Sequence, residues 1–162
     1  MTETELNGLR REIMIAYGFL LASIIGTITP LALPVCLAIF LCVTGYAYYR
    51  DDAMRDTIYA THLRWIVRTF WLGVFVYFPL MTLITTALCL SGDYTAVTQA
   101  LGEGEKNGHA LMTIYIQHNA ELMTRATFIV SGIYWFWLLY RGLWGFGFAI
   151  FRRPVARVTS WL

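Results

Sequence analysis

From Ile13 to Tyr49 the chain carries no Asp, Glu, Lys or Arg. No other feature limits the possible folds so strongly. The run is too long for one membrane span of about 20 residues and nearly right for two short ones. Its dividing point is "TPLALP", Thr29 to Pro34. Each proline removes a backbone donor and restricts the residue before it, so a helix breaks there. The pattern predicts spans over 13–29 and 33–49 joined as a tight hairpin; the competing form is one long kinked helix. Two more apolar segments follow. One covers 69–91 and contains Pro79, which a membrane helix tolerates and which should kink it. The other covers 126–148 and contains Arg141.

Composition agrees with lipid as the solvent. Of 162 residues, 58% are hydrophobic and 14% charged, whereas soluble domains carry about 25% charged residues. A chain this short cannot hide so much apolar surface inside itself. The length suits a single domain. The net charge of +2 is too small to argue for nucleic acid, and no motif for it is present. Cys36, Cys42 and Cys89 all lie in apolar runs without metal spacing and read as small hydrophobes. The start, "MTETELNGLRRE", carries acids and is followed by no small-residue cleavage site, so no cleaved signal peptide is expected.

The arginines set the orientation. Arg10 and Arg11 precede the first span. Arg50, Arg55, Arg64 and Arg68 lie between the second and third, and Arg152, Arg153 and Arg157 follow the fourth. With four spans every basic cluster falls on one side, and the positive-inside bias places both termini in the cytoplasm. Residues 51–68 contain no Gly or Pro, and an interfacial helix is expected there. Residues 92–125 form the outer connection, with a flexible centre at "GEGEKNG" and helix on either side.

Few residues offer chemistry. His118 and Glu121, three apart, share a helix face, and with His109 they are the weak candidate metal ligands; a solvated polar face explains them better. His62 could relay protons or, more simply, hydrogen-bond at the interface. The aromatic clusters Tyr134–Trp137 and Phe75–Phe78 fit a lipid-facing belt better than a quinone or pigment site. No catalytic triad, phosphate loop or haem ligand pair can be placed, so no enzyme and no cofactor is expected.

Arg141 is the sharpest residue, because a charge inside a span costs several kcal/mol unless it finds a partner or snorkels. It lies eleven residues before Arg152, roughly 16 Å along a helix. Asp56 is its first expected partner and Asp52 the second. Gly142, Gly145 and Ala149 follow it on one face, and Gly18, Ala22 and Gly26 form a similar face in the first span. Small faces let helices approach closely. The Arg64, Arg68 and Trp71 cluster is expected to set the point where the chain enters the third span.

The segment "THLRWIVRTFWLG", with the core Arg68-Thr69-Phe70-Trp71, then "FWLLYRGLWGF" and "RRPV", resembles a family of small uncharacterised bacterial inner-membrane proteins. That family is distantly similar to the small four-helix subunit of the chloroplast inner-envelope import machinery. The resemblance covers roughly residues 15 to 155 and implies a multi-pass protein of the bacterial inner membrane. The chain departs from it in the long outer connection and in Gly142, where a basic residue is common. The expected fold is therefore all-α: a four-helix membrane bundle with N-in and C-in termini. The expected role is a non-enzymatic accessory or assembly subunit with a membrane-protein partner or self-association. The alternative is a homo-oligomeric channel or transport component.

Overall fold

The computed structural model describes residues 3–55 and 57–155. Every regular element among them is helical. The order is α1 (Glu3–Gly26), α2 (Leu33–Asp51), α3 (Ile58–Ser91), α4 (Thr95–Gly102), α5 (Gly108–His118) and α6 (Ala120–Ile150). Three stretches are long and apolar enough to cross a membrane: Pro30–Met54, Ile58–Ser91 and Ala120–Ile150. α1 is not among them. Its first half is charged, and the apolar part from Ile13 to Gly26 is only about 20 Å long at 1.5 Å per residue. Apolar side chains stay uncovered on the long helices, for instance Phe128 at 81%, Leu90 at 80% and Phe75 at 68% exposure. Lipid would solvate them, and this is a membrane protein on length, composition and surface.

The prolines break the chain where the sequence predicts. α1 ends at Gly26, a turn follows, and a short 3₁₀ turn over Pro30–Ala32 leads into α2. The expected interfacial helix over residues 51–68 is not a separate element. A 3₁₀ turn at Asp52–Met54 reverses the chain, and from Ile58 onward the helix runs unbroken through Pro79 to Ser91. The reason is burial: Tyr59, Leu63 and Ile66 are all inside protein, so nothing holds this stretch in the plane of a headgroup layer.

The chain divides into two units, Met1–Phe75 with Trp135–Leu162, and Val76–Tyr134. In the first, a single core takes Ile13, Tyr17, Leu20 and Ile24 from α1, Val43 and Ala47 from α2, Leu63 and Ile66 from α3, and Ala149 from α6. Four helix ends meet at one pole of this unit. Arg10 donates to the Ile150 carbonyl at 3.0 Å, Arg152 to Asn7 at 3.0 Å, and Arg50 and Tyr46 to Glu12, both at 2.8 Å. Arg64 pairs with Asp51 at 3.0 Å. α1 therefore runs antiparallel to α2 and α6, and the basic residues gather at their shared end. Burial works to raise the Glu12 pKa, but the bonds from Arg50 and Tyr46 outweigh it and hold the carboxyl below its ordinary range.

α6 closes with a left-handed residue. Arg152 has φ 53°, its N–H reaches the Ala149 carbonyl, and the Arg153 N–H reaches Phe148. That is the hydrogen-bond pattern of a Schellman cap, normally built on glycine.

In the second unit, α4 packs on α5. The stretch expected to be flexible is a hydrogen-bonded turn. Gly104 adopts φ 96° and caps α4, with Glu105 N–H bonded to Ala100 and Gly104 N–H to Leu101. Asn107 then caps α5 by accepting from the His109 and Ala110 amides. The helix expected to run straight into the last span is interrupted at Asn119, which is 6% exposed. Its side chain accepts from the Asp93 N–H and donates to the Asp93 and Tyr115 carbonyls. One amide thus ties the end of α5 to Asp93, two residues before α4.

Candidate functional site

Two connected sets of polar atoms lie inside the first unit. The first is centred on His62, which has no exposed surface. Its Nε2 lies 3.0 Å from the Arg153 carbonyl. A carbonyl can only accept, so this nitrogen carries the proton. Nδ1 is then the acceptor for the Tyr17 hydroxyl at 3.3 Å. The Tyr17 ring meets the imidazole edge-on, with centroids 5.8 Å apart. Helix spacing explains the set: His62 falls on the same face of α3 as Tyr59 and Ile66, and this is the face turned to α1. Tyr17 reaches into the gap left by Gly145, where a Cβ would lie 2.5 Å from its Cε1.

The second set is centred on Arg141. Its Nε donates to the Thr69 hydroxyl at 2.9 Å, and that hydroxyl donates to the Trp65 carbonyl at 2.8 Å. The guanidinium carbon lies 3.8 Å from the centre of the Trp65 ring and 5.3 Å from that of Trp137. The Trp65 indole in turn donates to the Arg141 carbonyl at 3.1 Å. Among the described residues no carboxylate pairs with Arg141. Asp52 is highly exposed and pairs with Arg55 instead; Asp56 lies outside the described residues, as does Arg157. Indole rings and one hydroxyl accommodate the cation that the sequence assigned to an acid. This works because a ring face carries negative potential and needs no charge of its own to be buried with it.

The small-residue faces pack differently from expectation. Gly142 and Gly145 do lie against α1, where a Cβ on Gly142 would come within 2.8 Å of Leu21 Cδ2. On α1, however, Gly18 and Ala22 are exposed, and nothing lies within 4 Å of where a Gly18 Cβ would be. Gly26 faces Cys36 Sγ, 2.5 Å from its ideal Cβ position, and so serves the hairpin with α2. The face of α1 that meets α6 carries Tyr17 and Ile24, and Trp135 anchors it by donating to the Ile24 carbonyl at 2.8 Å. Trp71 is 42% exposed, stacks on Phe75 at 5.5 Å and donates to the Tyr48 hydroxyl. Arg68 and Arg64 are half-buried on α3.

The three metal candidates go to separate partners. His118 Nε2 lies 2.9 Å from Asp93 Oδ2, Glu121 pairs with Arg125, and His109 sits at the start of α5. Among the described residues no three His, Cys, Asp or Glu side chains converge as metal ligands. Hydrogen bonds from Thr95, then His118, hold the Asp93 carboxyl well below the ordinary carboxylate range. Chemically, the His62 and Arg141 sets are clasps between helices: each polar group described is turned to a neighbouring helix or to its own. Neither the groove at Asn7, Arg10 and Phe146 nor the groove at Thr124, Thr127 and Ser131 is lined by His62, Tyr17 or Arg141.

No known protein family, curated protein or solved structure matches this chain.

Proposed function

We propose that the chain is a small multi-pass protein of the bacterial inner membrane, a four-span bundle with both termini in the cytoplasm. In this reading it acts without catalysis, as an accessory or assembly subunit of a larger membrane complex. The observation that carries the reading is the use of the buried polar groups. His62, Tyr17, Thr69 and Arg141 fasten helices to one another. The gathering of α1, α2, α3 and α6 ends at one basic pole supports an even number of spans, although α1 is short and would need local thinning of the bilayer. The outer segment offers a partner Leu101, Met112 and Ile116, each about half exposed on the short helices α4 and α5.

The test is purification in mild detergent with the native mass and all co-purifying proteins identified. A stoichiometric larger partner supports the subunit reading. A homo-oligomer that conducts when reconstituted supports a channel or transport component instead. One observation favours that second reading: Thr124, Thr127 and Ser131 form a row of hydroxyls along a groove on α6, which several copies could turn toward a shared path.

A further inference from the structure

We propose that the N-terminal half of α1 carries a binding groove for one anionic phospholipid. The groove has a volume of about 540 Å³ and runs along α1 against the end of α6. Its polar end is formed by Asn7, Arg10 and Arg11; its apolar end by Ile15, Gly18 and Phe146. From Asn7 to Gly18 is roughly 16 Å of helix. Positive charge at one end and hydrocarbon at the other match a phosphate headgroup and the upper part of an acyl chain.

Three details fit this occupant. No carboxylate lines the groove, because Glu12 turns away to Arg50 and Tyr46. Arg10 is held in place by its bond to the Ile150 carbonyl, so its guanidinium is already ordered at the polar end of the groove. Arg152 adds a third cation at the rim through its bond to Asn7. At the other end Gly18 leaves open space where any larger side chain would fill the groove.

A second copy of the chain is a poorer occupant. It would bring two Arg10–Arg11 rims together, and like charges facing one another are repelled. The proposal needs α1 to lie against lipid at its N-terminal end. It does not depend on the accessory-subunit role, on the span count or on which leaflet that end occupies.

The test uses the full chain, purified in detergent and stripped of lipid, then offered phosphatidylglycerol and phosphatidylcholine together and read by native mass spectrometry. One phosphatidylglycerol per chain should be retained over phosphatidylcholine. Arg11 is exposed and bonded to nothing among the described residues, so Arg11→Gln leaves the fold intact. It should weaken retention roughly fivefold, the worth of one basic residue at an anionic surface. Gly18→Leu should lower retention of both lipids with no change in melting temperature. Equal retention of the two lipids, or no effect of either substitution, overturns the proposal. Displacement by millimolar inorganic phosphate overturns it in favour of a free-anion site. A lipid-free dimer overturns it in favour of a second copy.

Discussion

Trp65 holds Arg141 at two points at once, with its ring under the guanidinium and its indole N–H on the Arg141 carbonyl. The pair therefore couples a side chain and a backbone of α6 to a single residue of α3. A carboxylate in the same place would supply charge alone and would need its own desolvation offset. We expect Trp65→Leu to lower thermal stability in mild detergent by about 2–4 kcal/mol, the range for removing a large buried side chain. A double-mutant cycle with Arg141→Leu should return a coupling of about 0.5–2 kcal/mol. Arg141→Lys should not rescue, because an ammonium lacks both the planar face and the Nε donor. Asp52→Leu should leave the melting temperature unchanged; a loss equal to that of Trp65→Leu would restore the acid as the partner.

Gly145 and Gly18 should respond oppositely to a methyl group. At Gly145 the added carbon meets the Tyr17 ring, which is itself fixed by His62, so Gly145→Ala should cost about 1–3 kcal/mol through overpacking. At Gly18 there is nothing to meet, and Gly18→Ala should be neutral or slightly stabilising in the helix. Melting curves of the two variants suffice, and indistinguishable shifts would refute the α1–α6 contact.

The backbone at Arg152 invites a direct substitution. A left-handed residue other than glycine carries roughly 1 kcal/mol of strain, offset here by the bond to Asn7. Arg152→Gly should therefore change stability by less than about 1 kcal/mol, while Arg152→Val, which is β-branched, should lose more than that. A greater loss for the glycine variant would mean that the Asn7 bond, not the cap, holds this end of α6.

Acid should loosen the outer segment through Asp93. Its carboxyl titrates lower in the folded chain than in the unfolded one. The stabilisation is thus complete above the free-aspartate range, about pH 4, and is lost as pH falls toward the lowered folded value. Hydrogen exchange along α5 should speed up over that interval in the parent. In Asp93→Asn it should already be faster at neutral pH and show no further step. An equal acid step in both would locate the titrating group elsewhere.

The orientation is open to chemical labelling. With Cys36, Cys42 and Cys89 replaced by alanine, single cysteines at Thr98 and Asn107 should react with an impermeant reagent on intact cells. One at Ala53 should react only after permeabilisation, and one at Leu31, 91% exposed in the first hairpin, should side with Thr98. Reaction at Ala53 from outside would invert the topology.

The hairpin break and the long apolar helices were legible because prolines and charge-free runs act locally. The facing of α1 was not. A helix apolar on every side has no stripe to orient it, so Gly18 and Ala22 looked as suitable for packing as Tyr17 and Ile24. The tryptophan contacts of Arg141 were not foreseen for a related reason. A search for the complement of a charge looks for the opposite charge, and a tryptophan face leaves no such mark among the six tryptophans of this chain. His62 was noticed, but its partners were out of reach of any pattern, since Tyr17 and the Arg153 backbone lie 45 and 91 positions away. Asn119 is one polar residue in a helical stretch, and only its three bonds reveal a joint there.

The distance in sequence from His62 to Arg153 also has a consequence for biosynthesis. A chain leaves the ribosome from its N-terminus, so the imidazole of α3 is made long before the carbonyl that accepts its proton. Arg10 waits longer still, 140 positions, for Ile150. Until Arg153 emerges, a donor destined for complete burial has only water or lipid headgroups to bond. A product cut short before Arg153 would have to bury that N–H unmet, at about 1–3 kcal/mol. The last turn of α6 thus closes the basic pole only after every helix it fastens has been made.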